Sequence, residues 1–328
     1  MKYYLCLDSG GTKLAAVLYD EDFRRRGVSV VGSVRPNTTG AELAEKNIAR
    51  LIEELGISGK TLEEYAGTCE DSVINAIKSV CTVKGRGIFG ELDMGLSAAG
   101  IFGDGMLALC GTGATVFART GDKKIAAGGY GAAVSDEGSG YYIGRSALIA
   151  AIRDTEGRGE HTALSDLIAE ELGFDGRERL REAIFSIYGK KDVSPVASVA
   201  RLVPTVIKAA EQNDAVAVSI LEEAGELLGR QLIYLISAND LPTDLPVTVS
   251  GSVWRGNPVL FDKFRRTCRE KYDKISVTVP RLEPVLGAAA YNIHKIKNEL
   301  TDSDITRLIN EFPEFEYDIK ENKALSRR

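Results

Sequence analysis

The sequence predicts an internally duplicated, two-domain α/β fold. Two observations carry that expectation. A strand–turn–strand pattern with a glycine-rich turn occurs once in each half of the chain, and each copy leads on to helical periodicity. The chain also has 328 residues with 44% hydrophobic content, enough for two sizeable cores. The first pattern is Leu5-Cys6-Leu7-Asp8-Ser9-Gly10-Gly11-Thr12-Lys13, running on to Asp20. The second is Leu107-Ala108-Leu109-Cys110-Gly111-Thr112-Gly113-Ala114-Thr115, running on to Arg119.

The elements are expected in the following order. Strands cover 3–8, 13–19 and 28–34, and a helix from Ala41 through Glu54 places Leu43, Ile48, Leu51 and Ile52 on one face. Two hairpin strands and a third before any helix do not make the βαβ opening of a dinucleotide-binding domain, and no GxGxxG follows the first strand. A second helix, about Glu70 to Ser79, leads to 85–90, then Glu91-Leu92-Asp93 and a short helix over Met94–Ala99. Past the second hairpin, a periodic helix runs from Tyr141 to about Arg153, and helices dominate 162–238. Val247–Val253 reads as a buried strand ending in a small-residue turn, and Asn257-Pro258 opens a helix. Ile275–Val279 is a strand and Val285–Lys297 the last clear helix. In the acidic tail, Ile305, Leu308, Ile309 and Phe312 suggest a helix packed back on a domain. The expected domains are 1–104 and 105–296, with about 297–328 returning to the first.

Composition narrows the function. A net charge of −6 argues against nucleic acid as a partner. Arg24-Arg25-Arg26, the compact basic run, reads as a solvated loop between strands. His161 and His294 lie far apart without partners at ligand spacing, so neither zinc nor a histidine triad is supported. The five cysteines form no CxxC pair, which fits a reduced, cytoplasmic setting. No apolar run approaches the ~20 residues of a membrane helix, and the N-terminus passes straight into the first strand, leaving no room for a signal peptide.

The glycine turns carry the chemistry. Glycine permits positive φ, so successive N–H groups can line one concavity that accepts a phosphate. Gly10, Gly11, Gly111 and Gly113 would supply it, with hydroxyls from Thr12 and Thr112. Asp8 is placed to hold Mg²⁺ through water. Each turn alone is also what an ordinary β-hairpin requires. Asp93 is a candidate general base ahead of the second turn, and equally a candidate helix N-cap.

These residues resemble a known family. Asp8-Ser9-Gly10-Gly11-Thr12-Lys13 is similar to the first phosphate loop of the sugar kinase, Hsp70 and actin superfamily. Gly111-Thr112-Gly113-Ala114 resembles the GTGS loop of its N-acetylglucosamine kinase and BadF/BadG/BcrA/BcrD ATPase branch. Gly128-Gly129-Tyr130-Gly131 with Asp136-Glu137-Gly138-Ser139 resembles that branch's GGWG…GDEGS signature. Gly251-Ser252-Val253-Trp254 resembles its GSVW turn, and Ala224–Arg230 its helix motif.

The resemblance implies a duplicated ribonuclease H-like fold of the actin/hexokinase type with a central cleft. It implies ATP and Mg²⁺ as cofactors and phosphorylation of the 6-hydroxyl of an amino sugar, most simply N-acetylglucosamine. ATP would sit on Asp8, Gly10, Gly11, Thr12, Lys13, Gly111, Thr112, Gly113, Gly251 and Ser252. The sugar would sit on Asn37, Ala114, Thr115, Gly129, Tyr130, Gly131 and Asp136, with Asp93 as base. Departures from the family pattern at Ala114, Thr115, Tyr130 and Ser135 fall on the sugar side. The resemblance leaves open a partner-activating iron–sulfur ATPase and a non-catalytic nucleotide sensor. The partner is a small-molecule sugar, with neither nucleic acid nor membrane, and a homodimer is compatible with the chain.

Overall fold

The computed structural model describes residues 1–189 and 194–319. The described residues divide into two compact units, Met1–Gly105 with Thr278–Tyr317, and Met106–Val277 with Asp318 and Ile319. The expected boundary near 296 falls inside the segment that returns to the first unit.

The first unit opens with β1 (Tyr3–Ser9), β2 (Lys13–Asp20), β3 (Arg25–Gly32), α1 (Pro36–Thr39), α2 (Ala41–Leu55), β4 (Thr61–Thr68), α3 (Asp71–Val80), β5 (Thr82–Phe89) and α4 (Glu91–Ala98). The second contains β6 (Gly105–Cys110), β7 (Ala114–Thr120), β8 (Lys123–Gly128), α5 (Gly140–Thr155), α6 (Leu164–Glu171), α7 (Leu180–Gly189), α8 (Pro195–Ala200), α9 (Val203–Glu211), α10 (Ala215–Ala238), β9 (Val247–Ser250), α11 (Pro258–Lys271) and β10 (Val277–Thr278). The chain then returns to the first unit with α12 (Gly287–Lys297) and α13 (Asp302–Glu311).

Each unit holds a five-stranded mixed sheet, and the two have one topology: β3-β2-β1-β4-β5 in the first and β8-β7-β6-β9-β10 in the second. In both, the opening hairpin strand pairs in parallel with the fourth strand, with Leu7 beside Gly67 and Leu109 beside Ser250. The chain therefore has the duplicated two-domain actin/hexokinase-type fold. Parallel pairing demands a crossover, and helices on the faces follow from it.

The first sheet is covered on both faces. Leu5, Leu7, Leu14, Ala16 and Leu18 pack with Ile48, Leu51, Val73 and Ile77 of α2 and α3. Cys6, Ala15, Val17 and Tyr19 point the other way, onto Met94 of α4, Ala289 of α12 and Leu308 of α13. That double burial explains the unbroken apolar run of β2, since strict alternation survives only where one face meets water.

Several expected elements differ. Arg25 and Arg26 lie in β3 rather than in a loop; Arg26 pairs with the buried Asp20 at 2.6 Å and Arg25 with Glu314 at 2.8 Å. The strand expected over Ile275–Val279 shrinks to Val277–Thr278. α4 begins at Glu91 with Gly90 as its cap, so Asp93 lies inside the first turn and is no N-cap.

Candidate functional site

In the first unit the candidates gather at the β1–β2 turn. Ser9 pairs with Leu14, and the turn closes by Gly10 N–H donating to the Lys13 carbonyl at 2.8 Å, with Gly11 and Thr12 half-buried between them. Carboxylates surround this turn. Asp8 stands at the end of β1 and accepts from the Thr68 hydroxyl at 3.2 Å. The Ser9 hydroxyl donates to Glu70 at 2.7 Å. Arg35 bridges the group, its Nε donating to Glu70 at 2.5 Å and its Nη2 to the Ser9 carbonyl at 3.2 Å.

The electrostatics follow from this crowding. Protein packed around Asp8 raises its pKa, and Lys13, the Thr68 hydroxyl and Arg35 offset part of the rise. Glu91, at the start of α4, is exposed; desolvation by the protein beside it and then the Asp8 charge raise its pKa, against Arg35. Glu70, Glu91 and Arg35 were not among the residues expected from sequence. A carboxylate after a polar strand carries no motif, and only the parallel pairing of β1 with β4 brings Glu70 to the turn. Asn37 lies exposed on α1, two residues beyond Arg35, and Asp93 is half-buried on α4.

In the second unit the β6–β7 turn closes by Gly111 N–H donating to the Gly113 carbonyl at 2.9 Å. The N-terminus of α5 abuts it: Gly140 N–H donates to the Gly111 carbonyl at 2.8 Å, and Tyr141 N–H to the Thr112 carbonyl at 3.2 Å. Ser139 caps that helix, accepting from Tyr142 N–H at 3.2 Å. A helix N-terminus presents partial positive charge and favours an anion.

Asp136 is drawn into the same turn. It is 7% exposed and held at φ 60°, and accepts from Gly131 N–H at 3.3 Å and from Ala114 N–H. Burial raises its pKa and those two hydrogen bonds partly offset the rise. Its carboxylate occupies the space of a side chain at 113, where a Cβ would lie 2.6 Å from Oδ2. Thr115 sits against Gly129, while the Ala114 methyl is buried in the core and presents only its backbone to the turn. Tyr130 is 81% exposed, and Ser252 is exposed.

Left-handed glycines occur beside the turns rather than in them. Gly10, Gly11, Gly111 and Gly113 lack positive φ, whereas Gly128, Gly129 and Gly131 have φ of 82°, 77° and 94°. The expected concavity of N–H groups is therefore not built by glycine φ within either hairpin. Gly251, at φ 103°, lies so close to the strand before the second turn that a Cβ would be 2.2 Å from the Cys110 carbonyl oxygen. Gly67 makes a similar close approach in the first unit, where a Cβ would be 1.8 Å from the Leu7 carbonyl oxygen. Trp254 is fully buried, its Nε1 donating to the Ala108 carbonyl at 3.2 Å, so it packs the sheet rather than facing a ligand.

The cysteines do not present ready thiolates. Cys268 is buried and Cys69 and Cys81 half-buried; burial pushes the Cys69 and Cys268 thiols up to about 12 and raises Cys81. Among the described residues no helix is long and apolar enough to cross a membrane.

Several proteins are similar to this chain in sequence or in fold. An N-acetylmuramic acid/N-acetylglucosamine kinase of Clostridium acetobutylicum is 28% identical over 303 residues, covering 88% of this chain and 97% of that one. A structural-genomics target from Chromobacterium violaceum, provisionally named an N-acetylglucosamine kinase, superposes with a TM-score of 0.64 at 21% identity, over 88% of this chain and 98% of its own. A ROK family glucokinase from Streptomyces griseus, solved with glucose and AMPPNP, gives 0.52 at 18% identity, over 88% and 97%. The family model described as the BadF/BadG/BcrA/BcrD ATPase family matches residues 5–292, and the chain belongs to that family.

Proposed function

We propose that the chain is an ATP-dependent kinase that phosphorylates the 6-hydroxyl of an amino sugar, N-acetylglucosamine first among the candidates. One observation carries the reading. Two turns of one topology have different surroundings: Asp8, Glu70 and Glu91 with Arg35 at the first, and the N-terminus of α5 with the buried Asp136 at the second. Phosphoryl transfer needs both, because a metal and a phosphate chain must be held together while little covalent chemistry falls to the protein. The curated relative's name supports the substrate class.

The residues divide accordingly. The second turn, Gly111, Thr112 and Gly113, with Gly251 and Ser252 beside it, would hold the phosphates and adenosine at the α5 N-terminus. Gly10, Gly11, Thr12 and Lys13 would contact phosphate. Asp8 would hold Mg²⁺ through water, and the ion would neutralise phosphate charge. A cation would also offset the burial that raises the Asp8 pKa. Asp136, Gly129–Gly131, Thr115, the Ala114 backbone and Asn37 would take sugar hydroxyls.

The proton acceptor would lie in the first turn of α4, with Asp93 as the candidate general base and Glu91, whose pKa is raised by desolvation and then by the Asp8 charge, as a second acid beside it.

The test is ADP release with N-acetylglucosamine, N-acetylmuramic acid, glucosamine, N-acetylmannosamine and glucose, followed by phosphorus NMR of the product. The expected result is sugar-dependent ADP release with the phosphate on the 6-oxygen. ATP binding without turnover on any of these sugars would favour the nucleotide sensor instead.

A further inference from the structure

One face of α10 backs both segments proposed to hold the sugar. Gly138 lies against it so tightly that a Cβ there would be 2.6 Å from the Ala224 carbonyl oxygen and 2.7 Å from the Leu228 Cγ. One turn further along, Gln231 donates from Nε2 to the Glu137 carbonyl at 3.3 Å. The other end of the same amide presses on the glycine loop. A Cβ on Gly128 would stand 2.7 Å from Gln231 Oε1, and Gly128 is held at φ 82°. That Oε1 is buried and has no hydrogen-bond partner. An unpaired buried acceptor is destabilising, and such groups in native proteins call for an explanation.

We propose that Gln231 is a positioning residue for the sugar. It braces the 128–131 loop and the 136–139 turn as one preformed surface, so that Asp136 keeps its left-handed backbone and its hold on Gly131 N–H. The unpaired oxygen is the consequence of seating the amide where it touches both segments. The inference rests on the amino-sugar kinase reading for its substrate, though not for its geometry. Preorganised groups are worth most when a neighbouring shell fixes them.

The test is Gln231→Met, which keeps length and packing and removes both polar ends, with Gln231→Glu, which keeps an acceptor and loses the donor to Glu137. Both should raise the sugar KM about tenfold, with kcat and nucleotide KM within about twofold. Amide hydrogen exchange should quicken in 128–139 and not elsewhere. Unchanged sugar KM and unchanged exchange would overturn the proposal. So would loosening spread through the whole second unit, which would make Gln231 a residue of general stability. If the wild-type protein turned over no sugar, the kinase reading alone would fail, and the exchange pattern would still decide the bracing.

Discussion

The first glycine turn is ringed by Asp8, Glu70 and Glu91, whereas the second abuts the N-terminus of α5, although both sit at the same place in the same strand order. The duplication preserved what the sheet needs. A glycine without room for a Cβ lies beside the opening strand in each unit, Gly67 on Leu7 and Gly251 on Cys110. What diverged is the chemistry around the turn: the carboxylate side suits a cation and a proton acceptor, and the helix side suits phosphate oxygens. One scaffold thus carries unlike chemistry in its two copies through a few residues at one sheet end.

The largest expected effect separates the two acids of α4. Asp93→Asn should lower sugar-dependent turnover by about 10²–10⁴-fold, the range of general base catalysis, with Glu91→Gln milder. The reverse ranking, read in steady-state kinetics, would assign the base to Glu91. Next, Asp8→Asn should cost about 10²–10³ in turnover, typical of losing one electrostatic group at a transferring phosphoryl.

The structural half of the comparison breaks at its glycines. Gly251→Ala places a Cβ 2.2 Å from the Cys110 carbonyl and asks alanine for φ 103°. A loss of about 3 kcal/mol in urea unfolding is expected from strain and clash together.

Much of this was legible in sequence and some was not. Both hairpins, the helix from Ala41 and the Asn257 cap were readable, because apolar period and cap chemistry are local; Asn257 indeed accepts from Leu260 N–H at 3.3 Å. β4 and β5 were hard to read because their charges pair across strands, as Glu63 does with Lys84 at 2.7 Å, so neither shows an apolar run. Glycine identity marked the turns but not their backbone angles; positive φ falls instead on neighbours such as Gly128, Gly129, Gly131, Asp136 and Gly251. The carboxylate ring depended on pairing between β1 and β4, which no local pattern encodes.

The second unit also holds a carboxylate whose shift opposes those at the turns. Burial of Asp154 works to raise its pKa, but hydrogen bonds from Ser165, Arg177, His161 and Thr162 outweigh it and hold the carboxyl at about 2, below its ordinary 3.8. A depressed folded-state pKa gives stability that is present above the unfolded value and lost as pH falls through the folded one. Unfolding free energy should therefore drop by about 2 kcal/mol between about pH 4 and 2 through this group. Asp154→Asn should remove that share of the acid slope in urea titrations. Smallest, Ser139→Ala removes the α5 cap and should cost about 1 kcal/mol, with a matching weakening of nucleotide binding.

The division of labour between the turns is tested most directly by calorimetric titration of ATP into wild-type and Asp8→Asn proteins, with Mg²⁺ and with EDTA. The expected result is that Asp8→Asn keeps the metal-free affinity, set by the second turn and α5, and loses the gain that Mg²⁺ gives the wild type. Full retention of the Mg²⁺ gain in Asp8→Asn, or equal loss of affinity with and without metal, would contradict it.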